Sequence, residues 1–155
     1  MLSNARLEFE KYRSRYRLRP MKLKGELSST HQPILFVTLF GMPLHALIDT
    51  GATHNTIFTS DNSDSNTFFE RTGKIISLTA AGGHVLNCPE VLASITINEK
   101  VFHLKFALAF GSFNTDIILS ANFLSECRMS LFICGSKFLL RDIPSNYFHR
   151  RILGC

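Results

Sequence analysis

The stretch "LHALIDTGATHNTIF", Leu44–Phe58, places one carboxylate, Asp49, between an apolar run and a turn built from Thr50, Gly51 and Ala52. "ALI" reads as an inward-packed strand, so Asp49 emerges where the chain leaves the core, a place where burial disfavours the charged form unless something compensates. Gly51 lets the backbone come close to the carboxylate or to another chain, and Thr50 offers a hydroxyl that can lock the turn. The pattern suits a carboxylate that must be held still. Asp and Gly are also ordinary turn residues, and most such triplets are structural. The surroundings have to decide.

Working outward, the signals are short and sheet-like. "PILFVTLF" and "MPLHALI" are compact apolar runs separated at Gly41, which predicts a hairpin turning at Gly41 and Met42. "TSDNSDSNT" is polar, unperiodic and turn-rich, a surface loop. "KIISLTA" and "HVLNCPEVLASITI" flank "AGG" as a second hairpin, and "NEK" turns the chain into "VFHLKFALAF", whose Phe102, Leu104, Phe106 and Leu108 share one face by alternation. "DIILSANFLSEC" reads as a buried strand running into a short helix, and "MSLFIC" and "KFLL" as a last hairpin about Gly135 and Ser136. The expected class is all-β with one or two short helices, without an internal repeat.

Composition agrees with a folded domain. The chain has 155 residues, 45% of them hydrophobic, with 14 Phe and no Trp, enough for a sizeable core. The net charge of +5 is concentrated: residues 1–26 hold eight basic and three acidic residues, and the other 129 hold nine of each. "KYRSRYRLRPMKLK", with Tyr12 and Tyr16 interleaved, is able to neutralise phosphates and stack on bases. With no nucleic-acid module behind it, it reads more readily as a solvated linker or a short helix ending before Pro20. The expected organisation is a basic leader or linker over 1–26, one domain over 27–143 and a tail over 144–155. Ile34–Ile48 is too short and broken to span a bilayer, and the charged start lacks a secretory apolar region. A cytoplasmic protein without membrane association is expected. Cys88, Cys127, Cys134 and Cys155 show no CxxC and read as free thiols. His84 and Cys88 lack the second ligand pair that zinc needs, so no metal or cofactor is expected.

Three ordered segments, "ALIDTGATHNTI" at 46–57, the glycine-tipped "LTAAGGHVL" at 78–86 and "TDIILSANFL" at 115–124, together resemble the retropepsin-like aspartic proteases, in particular the protease domains of long-terminal-repeat retroelements. The resemblance spans roughly residues 32–141 and implies a retropepsin-like acid protease β-barrel. It implies that Asp49, Thr50 and Gly51 form the catalytic loop, that Ala52 lies beside substrate, and that Ala80, Ala81, Gly82 and Gly83 form a flap over a bound peptide. His54 has no role as a base in that scheme. Aspartic proteolysis needs two carboxylates sharing a proton across a water, because two like charges about 3 Å apart cannot both ionise. One triplet in a chain of this length therefore implies a homodimer in which each copy supplies Asp49. The implied activity is an endopeptidase cutting extended apolar peptides in retroelement polyprotein processing. The alternative is a catalytically silent retroelement-derived dimerisation or peptide-binding domain, with residues 1–26 tethering it to nucleic acid. An unrelated barrel with a chance triplet is a third reading. One departure bears on activity: Ser120 stands where the family usually has Gly, so its hydroxymethyl group either crowds the loop or caps the helix that follows.

Overall fold

The computed structural model describes residues 21–60, 69–79, 82–111 and 113–143. Ten strands and one short helix are assigned there: β1 (Lys22–Glu26), β2 (Ile34–Leu39), β3 (Met42–Asp49), β4 (Thr56–Thr59), β5 (Glu70–Thr79), β6 (Val85–Ile97), β7 (Lys100–Phe110), β8 (Ile117–Ser120), α1 (Ala121–Glu126), β9 (Met129–Cys134) and β10 (Lys137–Asp142). The all-β expectation holds.

The larger sheet has the order β2-β3-β8-β4-β7-β6-β5, and β6 also pairs with β2 through Thr38–Thr96 and Leu39–Ile95. That second pairing closes β2, β3, β8, β4, β7 and β6 into a six-stranded barrel. β5 stays outside it, paired only with β6 as one arm of a long hairpin. Closure removes free edges from the barrel strands, which would otherwise present unpaired N–H and C=O groups.

The alternation read in β7 is realised. Phe102, Leu104, Phe106 and Leu108 are all buried and share the main core with Leu35, Val37, Ile48, Ile95, Ile117 and Phe123. The opposite face of β7 is also covered near its end: Ala107 and Ala109 pack with Ile76 and Cys88, joined by Phe58 and Leu78, in a second small core under the β5–β6 hairpin. Small alanines on this face let the hairpin approach closely.

The first hairpin turns one residue earlier than the sequence suggested. Leu39 pairs with Met42, so the loop is Phe40–Gly41, with φ of 50° and 77°. Two successive positive φ values match the twist of the flanking strands. Phe40 is an unfavourable residue for such a position, and its ring packs against Phe69 at 5.3 Å between centroids. The turn at Asn98–Glu99 repeats the geometry, with φ of 49° and 70°, where "NEK" predicted it.

A separate three-stranded sheet has the order β1-β10-β9. Its inner face carries Leu140 and Phe138 into the main core, with Leu23 and Leu131 packed against them. Gly25 lies opposite Phe138, whose ring fills the space a Cβ would take. Lys22–Glu26, counted with the basic leader on sequence grounds, is thus folded into this sheet.

Candidate active site

Asp49 is the last residue of β3, and β3 runs parallel to β8 with Asp49 opposite Ser120. The pairing places the acid at the strand ends, where the barrel opens into a loop. Asp49 itself is half-buried. The Gly51 N–H donates to Asp49 Oδ1 at 3.0 Å, and the Ala52 N–H donates to the Asp49 carbonyl at 3.1 Å. A Cβ on residue 51 would meet Asp49 Oδ1 at 3.3 Å, tighter than ordinary contact, so Gly51 permits this approach.

The expected role of Thr50 is not realised within one chain. Its side chain is exposed, and no hydrogen bond of its hydroxyl occurs among the described residues; the backbone N–H groups of Gly51 and Ala52 hold the turn instead.

The residues behind the loop do more than the sequence indicated. Asn55 is buried, and its Oδ1 accepts from both the N–H and the hydroxyl of Ser120, each at 2.9 Å. Its Nδ2 donates to the Lys105 carbonyl at 3.3 Å, and its own carbonyl accepts from the Ala107 N–H at 2.8 Å. Asn122 Nδ2 donates to the Thr53 carbonyl at 3.0 Å. At the far end of the same strand pair, Asp116 Oδ2 accepts from the His45 N–H at 3.0 Å, and the Thr115 hydroxyl donates to the His45 carbonyl at 3.0 Å. β3, the loop, β4, β8 and α1 are thereby tied into one frame around the carboxylate.

Ser120 resolves its own ambiguity. It is fully buried, its hydroxyl accepts from the Asn122 N–H at 3.2 Å, and it is the N-cap of α1. The extra group caps the helix and bonds to Asn55. His54 contacts its neighbour, Nδ1 lying 2.9 Å from Thr53 Oγ1.

Of the expected flap residues, Ala80 and Ala81 lie outside the described residues. Gly82 and Gly83 are exposed near the end of the β5–β6 hairpin, with φ of 97° and 84°. No hydrogen bond among the described residues joins them to the Asp49 loop. The arms below the tip present Ile75, Val85 and Leu86, which are 66%, 61% and 44% exposed. A concavity of about 860 Å³, lined in part by Phe40, Leu92, His103 and Lys105, shares no residue with the Asp49 loop. One chain therefore shows a supported carboxylate and, separately, an exposed hairpin with apolar side chains, with no second acid bonded into the loop among the described residues.

No protein-family model matches the chain, and no curated protein matches its sequence. The fold is similar to that of a retropepsin-like aspartic protease from Rickettsia conorii, with a TM-score of 0.56 over 80% of this chain and 92% of that one, at 13% identity. The protein has the retropepsin-like fold, that of an aspartic protease. No helix among the described residues is long and apolar enough to cross a membrane.

Proposed function

We propose that this protein is an aspartic endopeptidase of retropepsin type, active as a homodimer. The observation that carries the reading is the Asp49 loop: a carboxylate at a strand end, bonded by the Gly51 N–H and framed by Asn55, Ser120 and Asn122. Such a frame fixes an acid without neutralising it by a cation. Two copies related by a two-fold axis bring two such carboxylates together, and the pair shares one proton. The ionised member removes a proton from a water held between them as that water attacks the peptide carbonyl carbon. The protonated member hydrogen-bonds the carbonyl oxygen and gives up its proton as the tetrahedral intermediate forms. Collapse of the intermediate breaks the C–N bond, with a proton delivered to the leaving nitrogen.

The substrate is an extended peptide with apolar side chains, laid between Ala52 and the flap; exposed Leu86 extends the hairpin face of Leu78, Ile76 and Cys88, and exposed Ile75 and Val85 lie on the other face. Processing of a retroelement polyprotein is the role we assign, on the strength of the three sequence segments. The silent-domain alternative rests on Ser120 and on the basic leader; the cap that Ser120 places on α1 gives that side chain a structural role compatible with either reading.

The test is dilution. Below the dimer dissociation constant each chain holds half a site, so specific activity on an apolar peptide library should fall as protein concentration falls. A covalently tethered dimer should resist dilution, and one with a single Asp49→Asn copy should lose most of its activity. A protein monomeric by sedimentation with constant specific activity over a thousandfold dilution would rule the shared site out.

A further inference from the structure

Strand register places nine side chains on the outer face of the β1-β10-β9 sheet, opposite the face that carries Leu140 and Phe138 into the core. They form three rows: Lys22, Arg141 and Ser130; Lys24, Leu139 and Phe132; Glu26, Lys137 and Cys134. Four of the nine are cations and one is an acid. Lys22, Lys24, Lys137 and Arg141 are all exposed, and none of them enters a salt bridge among the described residues. The nearby pair of Lys100 with Asp142, at 3.0 Å, shows that an available carboxylate in this region is used by a different lysine. In their midst Phe132 is 50% exposed, with the Arg141 guanidinium 5.2 Å above its ring.

An aromatic ring left half in water on a sheet face, with cations around it, does not arise from core packing. On the inner face Phe138 and Leu140 reach the core, although Ile133 there is itself exposed. The excess is local to this face: it holds four cations against one acid, while residues 27–155, which supply two of those cations, balance overall at nine basic and nine acidic. β1 follows directly on the stretch that contains Arg13, Arg15, Arg17 and Arg19 with Tyr12 and Tyr16. The face and that stretch are therefore consecutive along the chain.

We propose that the outer face of the β1-β10-β9 sheet is a binding surface for single-stranded nucleic acid. The four cations take backbone phosphates, and Phe132 with the Arg141 guanidinium offers a platform on which a base stacks. The face is about 10 Å across, two strand spacings. An exposed ring serves unstacked bases, which single strands present and duplexes do not. None of the nine residues belongs to the Asp49 loop, so this inference stands independently of the peptidase reading. It also reaches beyond residues 1–26, since Lys137, Arg141 and Phe132 come from the other end of the domain.

The test uses the full chain with fluorescent 15-nucleotide uridine and thymidine oligomers, followed by anisotropy across a salt series. Replacing Lys22, Lys24, Lys137 and Arg141 together by Ala should weaken binding more than tenfold at moderate salt. It should also reduce the slope of log K against log salt by about 2 to 3, as expected for four lost phosphate contacts on a single strand. Phe132→Ala should weaken binding roughly five- to a hundredfold with the slope unchanged, and Lys-to-Arg replacements should retain it. Circular dichroism melts of each variant check that the fold persists. Equal affinity and slope in the quadruple variant would mean that residues 1–20 bind alone, and would overturn the proposal. Duplex DNA or anionic vesicles bound as tightly as the oligomers, with Phe132→Ala without effect, would also overturn it, reducing the face to general polyanion attraction. Peptide cleavage measured in parallel should agree within twofold between wild type and quadruple variant. An absence of cleavage in both would count against the peptidase reading and leave this one standing.

Discussion

The Asp49 loop and the β5–β6 hairpin are both polypeptide turns at the end of paired strands, yet they are held in opposite ways. The loop is short and half-sunk, and its supports are side-chain amides and hydroxyls that cross between elements: Asn55 to Ser120, Asn122 to Thr53, Thr115 to His45. The hairpin is long and exposed; beyond the ladder that joins β5 to β6, it rests on β7 through the small cluster of Ile76, Cys88, Ala107 and Ala109. Its tip carries two successive glycines at positive φ. The difference separates two tasks. Under the function proposed above, a carboxylate that meets its partner at hydrogen-bond distance needs a frame that does not give, and a cover that admits a peptide needs few fixed bonds.

Substitutions can break this contrast in a graded series. Asp49→Asn should have the largest effect, reducing peptide cleavage by about 10²–10⁴-fold or more while leaving the melting temperature nearly unchanged, because the Gly51 N–H still finds an amide oxygen. Cleavage at the wild-type rate would mean that the loop frames the acid for some other purpose.

Asn55→Ala comes next. It leaves the Ser120 N–H and the Lys105 carbonyl without the partners they now have, in a buried setting, and should cost about 2–3 kcal/mol in denaturant unfolding. Ser120→Ala removes the cap and should cost about 1 kcal/mol. In the double variant the two costs should sum to more than is measured, since they share a hydrogen bond. Additive losses would show that the frame is not one network.

Gly82→Ala should behave in the reverse sense. A Cβ at φ of 97° strains an exposed tip, costing at most about 1 kcal/mol, whereas the rate of cleavage should fall several-fold. Loss of stability greater than that of Asn55→Ala would invert the assignment of rigid and mobile parts.

The smallest effect is read from two thiols, one on each side of the contrast. Burial pushes Cys88, under the hairpin, above its ordinary range. Burial and then the Glu126 carboxylate push Cys127, just after α1, up to about 11. Since the thiolate is the reactive form, alkylation of Cys127 should accelerate about tenfold per pH unit from pH 8 up to about pH 11, and it should not respond to a bound statine compound, a mimic of the tetrahedral intermediate. Cys88 becomes accessible only when the hairpin lifts from Ala107 and Ala109, so the same compound should slow its alkylation. An equal response of the two thiols would deny the hairpin independent movement.

Much of this arrangement was legible in the sequence. Alternation gave β7 its inner face because burial imposes a period of two, and glycine-bearing turns marked the hairpins. The Asp-Thr-Gly loop and the strand that passes beside it were readable as an ordered set. Three features were not. The turn at Phe40–Gly41 sits where propensity disfavours it, because packing on Phe69 offsets the strain of a bulky residue at positive φ. β1 reads as part of a charged leader, since Lys22, Lys24 and Glu26 face outward and only Leu23, with the fit of Gly25 to Phe138, reports its inner side. Asn55 and Asn122 look like loop polars; their importance lies in partners far away along the chain, which local patterns do not reveal.

Those distances bear on when the molecule becomes competent. The bonds that frame Asp49 join residues 65 apart for Asn55 and Ser120, 69 apart for Thr53 and Asn122, and 71 apart for His45 and Asp116. On a ribosome, Asp49 emerges long before Asn122 does, and until then the loop has no frame to enter. Chains whose contacts are this remote also close slowly, because the entropy of bringing distant segments together must be lost before the contacts form. Topology thus acts as a timer: the bonds that frame the Asp49 loop become possible only after nearly the whole domain has been made.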